Sequence, residues 1–113
     1  RQIKFILFLD PEVDISHVGD AVWRFCNNAD VKRDSIIAEV VDETRYSQIF
    51  IDGTRKTKAL DGFERDWPNI LVSTDEIIEK VDRIWPELGL GPLIPSPSLR
   101  YKKQVHGKGA VAV

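Results

Sequence analysis

The sequence predicts an α/β fold: a small layered domain with a mostly parallel or mixed sheet of about four strands, flanking helices and an extended carboxy-terminal tail. Three observations carry this. Short apolar runs rich in β-branched and aromatic residues alternate with stretches in which apolar residues recur every three or four positions. The runs stop at Asp, Gly or Pro, which punctuate strands and turns. Beyond residue 90, prolines at 92, 95 and 97 block regular structure and favour an extended, polyproline-like path.

Residues 3–9, IKFILFL, are an apolar β-forming run closed by Asp10 and Pro11, and predict a buried strand. Ser16 offers a helix cap, and Val18, Ala21, Val22 and Phe25 share one face of the helix that follows, which predicts an inward apolar stripe. NNADVKRD supplies turn chemistry, and residues 35–41, SIIAEVV, predict a second strand. Residues 48–51 predict a third, shorter strand, and residues 70–72 a brief fourth. Ser73 with Glu76 forms a capping box for a helix whose core side carries Ile77, Ile78, Val81, Ile84, Trp85 and Leu88. Pro86 weakens its last turn, and Gly89 and Pro92 close it. This gives a domain over residues 1–90 and a Pro-rich tail over 91–113, whose Leu90, Leu93, Ile94 and Leu99 predict packing on a partner subunit or domain.

Bulk properties exclude several classes. At 113 residues the chain holds one modest core. A net charge of −2 gives no basic footprint for nucleic acid, so any anion site must be local. No run approaches the roughly 20 apolar residues of a membrane span, and the amino end lacks a secretory pattern, so a cytoplasmic protein is expected. The single Cys26 reads as a small buried hydrophobe, and Trp23 and Trp85, at core spacing on helices, as packing residues. His17 and His106 are too far apart in sequence to suggest a metal site. The chain starts at Arg1, contains no methionine and runs directly into a strand, which reads as a piece of a longer polypeptide.

The chemistry-bearing stretch is QIFIDGTRKTKALDGFERDW, residues 48–67. Gly53 after a strand lets successive amides point at an anion, and Thr54, Arg55, Lys56 and Thr57 add donors. The spacing is not that of a P-loop, and no catalytic order of nucleophile and base stands out. Asp52, Thr54, Arg55 and Lys56 are the candidate substrate-facing residues, with no catalytic residue and no metal ligand in the chain. Trp67 before Pro68 is read as pinning this loop, and Glu64, Arg65 and Asp66 as a surface ion cluster.

KFILFLDPEVDISHVGDAVWRF, RDSIIAEV, SQIFIDGTRK, GFERDWP and EIIEKVDRIWPELGL, in that order, resemble the carboxy-terminal domain of UbiD-like decarboxylases over about residues 3–90. The likeness rests on Trp23 beside Ala21 and Val22, on residues 50–56 against a Gly-Leu/Ile-Asp-Ala-Thr-x-Lys segment, on Glu64, Trp67 and Pro68, and on Asp82, Ile84, Trp85 and Leu88. Phe50 and Gly53 depart from that family's glycine and alanine. The resemblance implies a (de)carboxylase acting on aromatic or unsaturated acids with prenylated FMN, a divalent metal and potassium, none of them held by this domain alone. It implies an amino-terminal flavin-binding domain as partner, and a homo-oligomer or a multi-subunit complex. A phenylphosphate carboxylase subunit fits the basic loop. The alternatives are a non-catalytic assembly or regulatory subunit, and a small anion-binding module.

Overall fold

The computed structural model describes residues 2–41 and 45–112. It is a mixed α/β structure that divides into two compact units, Arg1–Glu64 and Arg65–Val113. The division falls before the expected boundary at residue 90.

In the first unit, strand β1 (Phe5–Phe8) leads through a turn to helix α1 (Val18–Asn28), a single-turn helix α2 (Val31–Asp34), strand β2 (Ser35–Val41), strand β3 (Arg45–Asp52) and a short helix α3 (Lys58–Asp61). The sheet order is β1-β3-β2, with β1 parallel and β2 antiparallel to the central β3. β2 and β3 form a hairpin in register from Ser35 opposite Ile51 to Val41 opposite Arg45, which makes β3 longer than residues 48–51 predict. The cross-strand ladder pulls in Arg45, Tyr46 and Ser47, residues with no apolar run of their own. Among the described residues this sheet has three strands, without the one expected at residues 70–72, and a further two-stranded pair lies in the second unit.

Gly53 marks where β3 ends against β1. Its N–H donates to the Phe8 carbonyl at 2.8 Å. A Cβ there would lie 3.1 Å from that same carbonyl oxygen, 3.1 Å from Leu9 Cδ2 and 3.2 Å from Phe25 Cδ2. This glycine serves close approach.

The second unit places strand β4 (Trp67–Pro68) antiparallel to strand β5 (Val111–Ala112), and holds helix α4 (Asp75–Ile84), a 3₁₀ turn (Trp85–Leu88) and helix α5 (Ser98–Tyr101) with a further 3₁₀ turn (Lys102–Gln104). Residues 70–72 form no strand; the pairing falls at Trp67 and Pro68 instead. The cap of α4 is Thr74, one place after the expected Ser73, and its hydroxyl accepts from the Ile77 N–H. Ser73 instead donates its N–H to Ser98 Oγ at 2.9 Å. Gly89, at φ 65°, ends the 3₁₀ turn as the sequence predicts.

The tail is more structured than its prolines imply. Asn69 clasps it: its side-chain amide donates to the carbonyls of His106 and Gly109, both at 3.0 Å, while its Oδ1 accepts from the His106 N–H at 3.1 Å. Trp85 Nε1 donates to the Gly91 carbonyl at 3.0 Å, and Lys102 pairs with Asp75. These bonds hold the tail against the rest of the unit, although Gln104 Oε1 is buried without a partner among the described residues, and Leu90, Leu93, Ile94 and Leu99 stay exposed.

Gly53→Ala is expected to lower the stability of the first unit by about 1–2 kcal/mol, the cost of overpacking against a hydrogen-bonded carbonyl that cannot withdraw. Urea unfolding followed by circular dichroism measures it; an unchanged midpoint would show that Leu9, Phe8 and Phe25 yield freely.

Candidate functional site

Helix α1 is rotated from the expected orientation. The predicted inward stripe is split: Val18 and Val22 are 72% and 50% exposed, while Ala21 and Phe25 stay half-buried, Phe25 against Gly53. The residues it buries are Asp20, Arg24 and Asn28, spaced four apart along the other side. Cys26, expected inside, is exposed, and so is Trp23. Ser16 does not cap the helix: its N–H and hydroxyl both donate to Asp14 Oδ1, and His17 stands at the cap position with no side-chain bond. The inward polar stripe has a purpose in the geometry at the end of the sheet.

Asp10 leaves β1 with its carboxylate turned toward α1 and the loop after β3. Arg24 Nη2 donates to Oδ2 at 3.3 Å, and the Arg55 N–H is shared by both oxygens at 3.1 Å. One turn further along α1, Asn28 Nδ2 donates to the Gly53 carbonyl at 3.0 Å. Strand, helix and loop are therefore joined by one buried set of hydrogen bonds. Arg24 Nε is buried without a partner among the described residues, so burial of this guanidinium is only partly compensated.

The loop from Asp52 to Thr57 is tied off internally. Asp52 Oδ1 accepts from the Thr54 N–H at 2.9 Å and from its hydroxyl at 2.6 Å. Lys56, only 2% exposed, folds back so that its Nζ lies 2.8 Å from Asp52 Oδ2, 3.6 Å from Asp34 Oδ1 and 3.1 Å from the Asp52 carbonyl oxygen. The Thr57 N–H donates to Asp61 Oδ2 at 2.7 Å, and the Thr57 hydroxyl caps α3 by accepting from Leu60 at 3.1 Å. The amides of Gly53, Thr54, Arg55 and Thr57 are all consumed by the chain itself, three of them by carboxylates. The expected anion cradle is already filled from within.

Asp34 completes the cluster. Arg33 grips it with Nε to Oδ1 at 2.7 Å and Nη2 to Oδ2 at 2.6 Å, and the Asp30 N–H adds a bond at 2.7 Å. Burial pushes the Asp34 carboxyl up, but the Arg33 and Asp30 hydrogen bonds and the Lys56 charge outweigh it and hold the group below the usual carboxylate range. Asp52 follows the same balance: burial raises it, while Lys56 and the two Thr54 donors bring it below that range. Asp34, Asp52 and Lys56 line a cavity of about 310 Å³ with Asp61, Ile36 and Phe63, over whose ring the Arg33 guanidinium sits 5.4 Å from the centroid.

Of the four sequence-predicted residues, the structure joins Asp52, Thr54 and Lys56 in one hydrogen-bonded knot and separates Arg55 from it. Arg55 is held by its backbone to Asp10; its half-buried guanidinium forms no hydrogen bond or ion pair among the described residues. Lys56, expected to meet substrate, is an internal anchor. Sequence reading missed Asp10, Arg24, Asn28 and Asp34. The available signal was the four-residue spacing of Asp20, Arg24 and Asn28, which is as regular as the apolar stripe beside it.

No family model matches the chain. It is 29% identical over 96 residues to an uncharacterized protein of Aquifex aeolicus, covering 77% of this chain and 20% of that protein. It is 28% identical over 95 residues to an uncharacterized protein of Archaeoglobus fulgidus, covering 75% and 20%. The chain spans about a fifth of the length of these curated relatives.

Lys56→Ala leaves two carboxylates around an empty ammonium site and is expected to cost about 3 kcal/mol in urea unfolding, the scale for removing one partner of a buried ion pair. A loss below about 0.5 kcal/mol would place the pair among exposed bridges of little worth. The acid limb follows from sign. Asp34 and Asp52 are depressed in the folded state relative to about 3.9 when unfolded, so their contribution is complete above about pH 4 and lost as pH falls through the lower folded values. Stability is expected to drop below about pH 4, and Asp34→Asn to flatten that drop while lowering stability at neutral pH.

Proposed function

We propose that this chain is the carboxy-terminal domain of a UbiD-type, prenylated-FMN-dependent (de)carboxylase of aromatic or unsaturated acids, and that it forms one wall of the substrate cleft. The supporting observation is the division of labour in the loop. Asp10, Asp52 and Lys56 tie it down, and the Arg55 side chain is left without an ion pair among the described residues. A guanidinium carried on an anchored backbone suits a carboxylate or phosphate on a substrate, because charge-assisted pairs are strong where water is scarce. The ordered motifs running from KFILFLD to EIIEKVDRIWPELGL support the family reading. The chain's alignment to a fifth of two longer proteins supports its role as one part of a larger polypeptide.

The residues of this chain do not fit the cofactor itself. The loop amides that would grip a flavin phosphate are spent on Asp10, Asp52, Asp61 and the Phe8 carbonyl. The flavin, its divalent metal and potassium therefore belong, on this reading, to the amino-terminal domain, and the chemistry they supply is activation of the carbon that gains or loses carbon dioxide. What this chain's residues do is orient a substrate anion through Arg55 and exclude water on closure. A phosphorylated aryl substrate, as in a phenylphosphate carboxylase, gives Arg55 the stronger partner.

A second reading, an assembly subunit without substrate contact, is favoured by apolar surface. Phe5, Ile36, Ile37 and Val41 on the sheet and Val18 and Val22 on α1 are all exposed, more than a free surface ordinarily leaves uncovered.

In the larger enzyme containing this chain, loaded with prenylated FMN, Arg55→Ala is expected to raise KM for an aryl acid about tenfold with flavin content and oligomeric state unchanged. An unchanged KM would remove Arg55 from the cleft and favour the assembly reading. A preparation that binds no flavin would remove the family reading.

A further inference from the structure

The second unit holds a cavity unrelated to the loop. It lies between the apolar side of α4 and residues 94–97, has a volume of about 310 Å³, and is walled by Ile77, Ile78, Val81, Trp85 and Ile94. This is the lower end of the range for small-molecule sites, enough for one aromatic ring with a short chain. Its acidic group is Asp82, one turn after Ile78 on the same face.

Asp82 is half-buried, yet it makes no hydrogen bond or ion pair among the described residues. The nearby acids behave differently: Asp75 is paired with Lys102, and Glu76 is held below its usual range first by the Thr74 hydroxyl. A carboxylate beside apolar walls has lost part of its hydration without gaining a counter-charge, so it attracts a cation and repels an anion. Trp85 adds a second preference. Its N–H is already committed to the Gly91 carbonyl, so what it offers a ligand is ring surface, and indole is the best neutral partner for an ammonium group.

We propose that this cavity binds a small organic ammonium ion carrying an aromatic or short alkyl group, with the apolar part against Ile78, Val81 and Ile94 and the charge between Asp82 and the Trp85 ring. The site uses no residue of the loop around Arg55 and stands independently of the enzymatic reading. Ile94, Ser96 and Pro97 form its far wall, reached by the chain that leaves the Trp85–Gly91 bond.

The test is a ¹⁵N-NMR titration of the 113-residue chain with three probes of similar shape: 2-phenylethylammonium, 2-phenylethanol and 3-phenylpropionate. The cation is expected to shift the Trp85 indole N–H and the amides of Ile78 and Val81, with the alcohol about tenfold weaker and the carboxylate weaker still. Asp82→Asn, an isosteric change at a side chain with no hydrogen bond or ion pair to lose among the described residues, is expected to bring the cation down to the affinity of the alcohol while the rest of the spectrum stays in place. Equal binding of cation and alcohol, retention of the cation's advantage in Asp82→Asn, shifts confined to other surfaces, or no shift with any probe would each overturn the proposal.

Discussion

The ammonium of Lys56, sealed between Asp34 and Asp52, is the constraint around which the first unit is arranged. Removing an ammonium group from water costs several kcal/mol, and only close carboxylates with their own hydrogen bonds offset that. Each of those carboxylates is accordingly held by other groups: Asp34 by Arg33 and the Asp30 amide, Asp52 by both donors of Thr54. Satisfying one buried charge thus fixes α2, the end of β3 and the first residues of the loop together. Among the described residues of the first unit, the buried polar side chains of Asp20, Arg24, Asn28 and Lys56 outnumber the buried apolar ones of Val13 and Ile51, so this interior takes its shape from directional bonds more than from packed volume.

Directional bonds give a precision that apolar contact does not. A hydrophobic core tolerates sliding and repacking, whereas a carboxylate bound by a backbone N–H and a guanidinium admits one placement. Asp10 does this for Arg55, seizing its amide from the end of a neighbouring strand and leaving the side chain to project. The depressed carboxyls of Asp34 and Asp52 belong to the same design, because only their ionised forms complete the knot.

Much of the fold was legible in the sequence because strands and helices announce themselves by period. β1, β2 and α4 lie where apolar runs and three-four spacing place them, and the Gly89 stop is where glycine after a periodic segment predicts it. The orientation of α1 was not legible. Its two faces carry equally regular stripes, one apolar and one of Asp20, Arg24 and Asn28, and the choice between them depends on Asp10 and Gly53, which are distant in sequence. The extent of β3 failed for a related reason: Arg45 to Ser47 become strand only because β2 is there to pair with them. In the candidate site, composition points to the loop from Asp52 to Thr57, but charge alone does not distinguish the roles of its cations. Arg55 and Lys56 are adjacent cations of opposite fate: Lys56 folds back onto Asp34 and Asp52, while the Arg55 side chain has no such partner among the described residues.

The orientation of α1 also bears on the proposed place of this domain in a larger protein. Turning Asp20, Arg24 and Asn28 inward forces Val18 and Val22 outward, and each exposed aliphatic side chain forgoes about 1.5–3 kcal/mol of burial. Ile36 and Ile37 do the same on opposite faces of an edge strand, where open ladder groups invite pairing. A free-standing module would gain stability by exchanging these for polar residues. Within a covered assembly the same residues become contact surface, and the ionic interior is then what keeps the loop in shape while the apolar exterior is engaged elsewhere. The polar inside and the apolar outside are, on the proposed reading, two halves of one solution: the part that must hold a fixed geometry is built from hydrogen bonds, and the part that must adhere is left greasy.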